Sequence, residues 1–121
     1  LVARGTACPA VTGTLVYPVV GLLERDVGPA PHDHFELSRD EVDRAFVLTL
    51  DQLHDRELRG QHALEDPKTG RSGKWPVFRG EPHGAEVWGL TAFILNGILQ
   101  ELITPLRAKD LRHHSQPTSR L

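Results

Sequence analysis

The chain has 121 residues and a formal net charge of −2, from 14 basic and 16 acidic side chains. This length suits one domain or part of one. The charge balance provides no strongly basic surface for nucleic acid. Its apolar runs are shorter than the roughly 20 residues that a membrane span needs, so we expect no membrane partner either. Cys8 is the single cysteine, which excludes an internal disulfide and favours a reducing compartment.

The beginning of the chain predicts that sequence is missing in front of it. There is no methionine, and the first residue is Leu1. An initiator methionine is removed before small residues, and leucine is not small. We therefore expect this chain to be the C-terminal part of a longer protein.

The first half of the chain predicts two strands and a loop. Residues 11–23 are rich in Val, Thr, Tyr and Leu, which favours a strand, with Pro18 at an edge or a bulge. Residues 24–34 contain Gly28, two prolines and the three charges Glu24, Arg25 and Asp26, which together predict a connection. Residues 42–50 alternate apolar and polar side chains, which predicts a second, half-buried strand.

The middle of the chain predicts a helix, a loop and a short strand. Thr49 or Asp51 can cap a helix that Gly60 would end. Residues 60–73 are polar, which predicts a loop. Residues 75–78 predict a strand, and Pro76 favours an edge position for it.

Residues 86–104 predict the clearest helix, preceded by a strand at 86–88. The predicted inward face consists of Leu90, Phe93, Ile94, Ile98 and Leu102. Gly97 should cost this helix about 1 kcal/mol unless close packing requires it. Pro105 predicts the end of the helix, and the polar residues after it predict a flexible tail. The order of elements predicts an α+β fold.

The sequence provides no convincing metal or phosphate-loop motif. Zinc needs three or four convergent ligands, and the histidine pairs at 32/34 and 113/114 lack partners, so we predict no metal site. Residues 70–74, GRSGK, lack both the first glycine of a phosphate loop and the Ser or Thr after its lysine.

Two features carry site hypotheses. The acidic group Asp40, Glu41 and Asp43 is read first as a solvated loop, and alternatively Glu41 faces a cleft where it holds a cation or orients a water. The chain ends in Ser119-Arg120-Leu121, a variant of the S-K-L peroxisomal address. We expect a peroxisomal import receptor as a partner of this tripeptide.

Three segments together resemble the Nudix hydrolases, in particular the coenzyme A diphosphatase branch with its peroxisomal members. They are LVYPVVGLL (15–23), SRDEVDRAFVLTLDQL (38–53), and GKWPVFRG (73–80) followed by EVWGLTAFIL (86–95). W-G-L-T-A-x-I-L is the most specific match. Thr49 departs from the family pattern, which has proline there. The resemblance covers residues 7–104.

The resemblance implies a partial Nudix-type α/β/α sandwich over residues 1–105, with mixed sheet strands and a C-terminal helix, followed by a flexible tail at 106–121. It implies a hydrolase that splits the diphosphate of CoA or acyl-CoA into 3′,5′-ADP and 4′-phosphopantetheine, using Mg²⁺ or Mn²⁺. The family's metal-binding box, G-x5-E-x7-R-E-x-x-E-E-x-G, is not in this sequence. No metal ligand or catalytic residue can therefore be assigned, and we expect the chain alone to be inactive.

Two alternatives remain open at this stage. The chain could be a non-catalytic Nudix-like module that binds a nucleotide or a protein, or a small α+β domain without a Nudix relation. The expected location is the peroxisome, with the mitochondrion or the cytoplasm as alternatives. We also expect unpaired strand edges and exposed apolar surface to leave the isolated chain partly unfolded or prone to aggregate.

Overall fold

The computed structural model describes residues 3–10, 12–80 and 84–114, and shows a mixed α+β chain with small antiparallel sheets and a long C-terminal helix. The predicted α+β class is confirmed. The strands are β1 (Ala3–Arg4), β2 (Cys8–Pro9), β3 (Leu15–Val16), β4 (Val19–Val20), β5 (Arg59–Glu65), β6 (Ser72–Gly80) and β7 (Ala85–Val87). The α-helices are α1 (Leu50–His54), α2 (Gly89–Ile98) and α3 (Thr104–His114).

The N-terminal strands are two-residue pairs. β1 pairs antiparallel with β4, and β2 pairs antiparallel with β3. The strand predicted at 11–23 is therefore confirmed only in part, because it divides into β3 and β4. The division falls at Pro18, whose nitrogen carries no hydrogen for a ladder bond. Its carbonyl oxygen accepts a hydrogen bond from the Gly5 backbone N–H at 2.8 Å.

The strand predicted at 42–50 is wrong. The chain turns after Ser38, whose carbonyl accepts the Val42 N–H at 2.7 Å, and 44–49 contains no regular structure. Leu48 nevertheless packs against the core. An alternating apolar pattern requires only an extended chain with one face buried, and such a chain need not join a ladder.

Helix α1 is capped by Thr49, one of the two caps that the sequence predicts, and Asp51 lies inside its first turn. The Thr49 hydroxyl accepts the Gln52 N–H at 3.1 Å, and the Gln52 side chain accepts the Thr49 N–H at 2.9 Å, which completes a capping box. The helix ends at His54 and not at Gly60. Asp55 ends it, because its extended backbone leaves the helix and its carboxylate accepts the Glu57 N–H at 2.9 Å.

The prediction of a loop at 60–73 is wrong. Most of these residues belong to a hairpin in which β5 and β6 pair over seven residues. Asp66 organises the turn. Its carboxylate accepts the Lys68 N–H at 2.8 Å and the Thr69 hydroxyl at 2.9 Å, and Gly70 takes the left-handed conformation (φ 65°) that closes the hairpin.

The strand predicted at 75–78 is confirmed as part of β6, and the strand predicted at 86–88 is confirmed in part, because β7 ends at Val87 and Trp88 is the cap of α2. β6 is the middle strand of the three-stranded sheet, yet β7 pairs only with its last three residues, Phe78 to Gly80. Pro76 lies outside that stretch and faces a partner on the β5 side alone. The edge position predicted from Pro76 is thus correct locally.

The long helix does not end at Pro105, so that prediction is wrong. Helix α2 continues through a π-helical turn (Leu99–Ile103) directly into α3. A proline ring clashes with the carbonyl four residues earlier, here that of Glu101, and the wide π turn at this point accommodates it. Residues 106–114 of the predicted flexible tail are accordingly helical.

Contacts with α1 hold the first turns of α3. The Arg107 guanidinium donates to the Asp51 carboxylate at 2.6 Å, and the His54 ring lies 3.1 Å from the Thr104 hydroxyl. Asp51 is mostly exposed, so the ion pair contributes at most about 1 kcal/mol. These contacts link two helices that are separated by fifty residues of chain.

The core lies between α2 and the sheet. Its buried members are Leu53, Phe78, Ala92 and Leu99, with Leu48, Val87, Leu95 and Ile103 packed around them. The buried helical face is therefore not the predicted one. Phe93, a member of the predicted face, is 46% exposed, and Ile94 and Ile98 lie beside the open groove that separates the helix from the N-terminal strands.

The chain leaves much of its surface in water. Its accessible area is 10134 Å², whereas a folded monomer of this mass exposes roughly 6,500 Å². The helix Gly89–His113 is long and apolar enough to cross a membrane, by length and composition alone. Core helices of soluble proteins can have the same length and composition. The sequence-based expectation of no membrane partner stays a prediction.

Candidate functional site

A polar cleft of about 610 Å³ lies where the β5–β6 hairpin extends beyond the core. One face of the two strands forms its floor, and the next turns of the long helix form its wall. Its side-chain donors and acceptors are Arg59, Gln61, Lys74, Asn96 and Gln100. The floor residues share a face because Arg59 is opposite Phe78 and Gln61 is opposite Pro76 in the ladder. Asn96 and Gln100 share a helical face at a spacing of four.

Arg59 is the best-positioned group in the cleft. Its guanidinium lies over the Phe78 ring, 5.1 Å from the ring centre, and donates to the Asn96 side-chain oxygen at 3.2 Å. Phe78 is itself buried in the core. The charge of Arg59 is therefore held in one place by a rigid part of the molecule.

The cleft has a positive charge that no lining carboxylate neutralises. Arg59 and Lys74 line it, and no Asp or Glu does. Within the described residues, the ion pairs join Arg79 to Glu86 and Arg107 to Asp51, and neither involves a cleft residue. Two cations and three amides can bind an anion, and the lining provides no carboxylate or imidazole for acid–base chemistry.

The hypothesis that Glu41 faces a cleft gains no support from its position. Glu41 is exposed in the turn after Ser38, whose carbonyl accepts the Glu41 N–H at 3.0 Å, and it is not among the residues of the polar cleft. In the part of the chain that the structure describes, no three His, Cys, Asp or Glu side chains converge as a metal site would need. Glu41 as a cation or water ligand stays a prediction.

Of the other residues singled out in the sequence, Lys74 lines the cleft, and the rest lie apart from it or outside the described residues. Cys8 is buried, and its thiol donates to the Thr6 carbonyl at 3.4 Å. Residues 70–74 are the end of the hairpin turn and the start of β6. The targeting tripeptide Ser119, Arg120 and Leu121 lies outside the described residues.

Sequence reasoning missed the cleft because it misread the hairpin. Arg59 and Lys74 are fifteen residues apart, and only the β5–β6 register brings them to one face. A signal was available, since Asp66-Pro67 followed by Gly70 is a turn pattern between two segments that can pair.

No protein-family model, curated protein or solved structure matches this chain. The class of protein that the fold and cleft define is thus a small α+β chain with a cationic, amide-lined cleft. A more particular assignment depends on the sequence resemblance.

Proposed function

We propose that this chain is the C-terminal part of a Nudix hydrolase of the coenzyme A diphosphatase branch. The complete protein would cleave the diphosphate of CoA or acyl-CoA with Mg²⁺ or Mn²⁺, giving 3′,5′-ADP and 4′-phosphopantetheine. When bound, Mg²⁺ or Mn²⁺ would supply neutralisation of the diphosphate charge and a water activated for attack. The 121 residues alone would be inactive, because the box that supplies the metal ligands is not in their sequence.

The observation that carries this proposal is the run W-G-L-T-A-F-I-L at 88–95, in order with the two other similar segments. One of its residues also has a purely structural reason to be there. Gly89 takes a left-handed backbone (φ 64°) between the extended Trp88 and the first helical turn, where a side chain would be strained. The family proposal therefore depends on the whole run and not on the W-G pair.

The second candidate function is a non-catalytic Nudix-like module that binds a nucleotide or a protein. The cleft favours the nucleotide form of this candidate, since it offers cations and amides to phosphates without an acid or base beside them.

Determining the coding sequence upstream of the Leu1 codon tests the proposal first. If it encodes an in-frame Nudix box, we expect the longer protein to convert CoA into the two named products with Mg²⁺ or Mn²⁺. Replacing the box glutamates by glutamine should abolish turnover. The 121-residue chain, assayed beside it by chromatography, should produce neither product.

Each result has a defined consequence. Turnover of CoA by the 121-residue chain would contradict its proposed inactivity. A start codon near Leu1 with no box would overturn the enzyme proposal and favour the binding module.

The proposed location is the peroxisome, with the import receptor as partner of Ser119, Arg120 and Leu121. A fluorescent protein fused in front of the chain should accumulate in peroxisomes, and deletion of the three residues should release it. Unchanged mitochondrial or cytoplasmic fluorescence in both fusions would contradict this location.

A further inference from the structure

We propose that the cleft on the β5–β6 hairpin binds a ligand that carries two phosphate groups, such as a diphosphate or a nucleoside bisphosphate. Arg59 would bind one group and Lys74 the other. The proposal depends on the geometry of the described residues and holds whether or not the chain belongs to a diphosphatase.

The first step concerns charge. Arg59 is half-buried and has no carboxylate partner among the described residues; its contacts are an aromatic face and an amide oxygen. A guanidinium that is partly removed from water is stabilised when an anion accepts its remaining hydrogen bonds. Phosphate oxygens accept such bonds in pairs, which suits the planar arrangement of the guanidinium donors.

The second step concerns spacing. Arg59 is opposite Phe78, and Lys74 lies four residues before Phe78 on β6, which is about 13 Å along the strand at roughly 3.3 Å per residue. The Phe78 ring and Asn96 hold the Arg59 guanidinium at its end of the cleft. A ligand with two phosphate groups gives each cation a phosphate of its own, whereas a single phosphate bound to Arg59 must be shared with a Lys74 side chain that extends along the cleft floor.

The third step concerns the amides. Arginine is a donor only, so the Asn96 atom that contacts Arg59 must be its oxygen, and its NH₂ group is left to donate elsewhere. Gln61 and Gln100 add two exposed amides to the rim of the cleft. The lining thus provides charged and neutral donors for phosphate oxygens, together with a cavity of about 610 Å³ for the rest of the ligand.

Titration of the 121-residue chain with inorganic pyrophosphate tests the proposal. Binding is followed by calorimetry and by amide chemical shifts, at ionic strength held constant with sodium chloride. We expect binding that is tighter than that of inorganic phosphate. K74Q should weaken pyrophosphate binding about tenfold, the effect of losing one charge-assisted hydrogen bond. R59Q should weaken it at least as much, and R59K should restore part of the loss.

The matched control is K109Q, which removes the same charge from an exposed position on α3, outside the cleft. K109Q should bind pyrophosphate as the unaltered chain does. Equal weakening by K74Q and K109Q would overturn the proposal, because it would show general attraction to a charged surface. Absence of pyrophosphate binding at millimolar concentration would overturn it as well.

A second measurement tests the proposal even if the isolated chain is partly unfolded, because it compares two lysines of the same sample. Amine acetylation, quantified by mass spectrometry, should be slowed by pyrophosphate at Lys74 but not at Lys109 in the same sample. Equal protection at both lysines, or at neither, would overturn the proposal. Pyrophosphate binding without CoA turnover by the longer protein would leave the cleft intact and remove the diphosphatase proposal; turnover without protection of Lys74 would do the reverse.

Discussion

The N-terminal segment, residues 3–49, and the sheet-and-helix unit, residues 59–103, differ in the length of their strands. The difference is the opposite of what the strand preferences of their residues predict. Residues 15–20, LVYPVV, favour strand more strongly than the RGQHALE of β5. Yet β3 and β4 pair over two residues each, while β5 pairs over seven. Strand length here follows the quality of the turn and the partner strand, and not the intrinsic preference of the residues.

The same difference appears in burial. Val77, Phe78, Ala85, Ala92 and Leu99 are buried in the sheet-and-helix unit, whereas the apolar residues of the N-terminal segment are largely exposed, among them Leu15, Tyr17, Val19, Leu22, Leu23 and Phe35. Burial of apolar area is the main favourable contribution to folding. We therefore expect the free energy of unfolding to depend on the unit and to change little with substitutions in the segment.

The largest expected effect comes from a matched pair of phenylalanines. Phe78→Ala should lower the free energy of unfolding by about 3–5 kcal/mol, because Phe78 is 2% exposed at the centre of the core. Phe35→Ala, in the segment, should change it by less than about 1 kcal/mol, since that ring is 47% exposed. Urea unfolding followed by circular dichroism measures both, and equal effects would remove the distinction between the two regions.

An intermediate effect comes from two glycines of the same helix. Gly89→Ala should destabilise the chain by about 1–2 kcal/mol, because Gly89 is in the left-handed conformation. Gly97→Ala should stabilise it by about 0.5–1 kcal/mol, because no atom beyond the adjacent backbone of the helix lies within 4 Å of the added Cβ and alanine favours the helix. The close packing that could have justified Gly97 is absent from the described residues.

Thermal unfolding of the two variants should therefore shift in opposite directions. Shifts of the same sign would show that the helix does not begin at Gly89 as the structure has it. This comparison tests the junction between β7 and α2, which is the position of the W-G pair in the family resemblance.

The smallest expected effect concerns pH and the hairpin turn. Hydrogen bonds from the Lys68 backbone and the Thr69 hydroxyl hold the pKa of Asp66 below its ordinary value. A lowered pKa means that this carboxylate stabilises the fold fully above the unfolded aspartate pKa of about 3.9, and that the contribution is lost as pH falls through the lower native value. Asp66 is fully exposed, so the effect on stability is small.

Thr69→Val should move the pKa of Asp66 back toward its ordinary value, and Thr12→Val, far along the chain, should leave it unchanged. Carboxyl carbon chemical shifts followed through an acid titration measure the pKa in each variant. An Asp66 pKa that is the same with and without the Thr69 hydroxyl would contradict the turn geometry.

Local chemistry made part of this structure predictable. The α+β class follows from the patterning, the start of α1 from Thr49 as one of two possible caps, and the strand–helix junction at 86–90 from the apolar helical repeat. Each of these depends on residues within one or two turns of each other. The resemblance to Nudix hydrolases is also carried by the sequence, and membership of that family stays a proposal. The targeting tripeptide lies outside the described residues.

Tertiary structure decided the features that join distant residues. Residues 42–50, expected as a strand, join no ladder in the described part of the chain. The expected loop at 60–73 became mostly hairpin, with Asp66 organising the turn. The helix faces the sheet with Ala92 and Leu99 because Phe78 occupies that side, although other apolar positions fit the repeat equally well. The sequence by itself determined the start of α1 and the junction between β7 and α2. The pairing of β5 with β6 determined the cleft, because it alone brings Arg59 and Lys74 to one face.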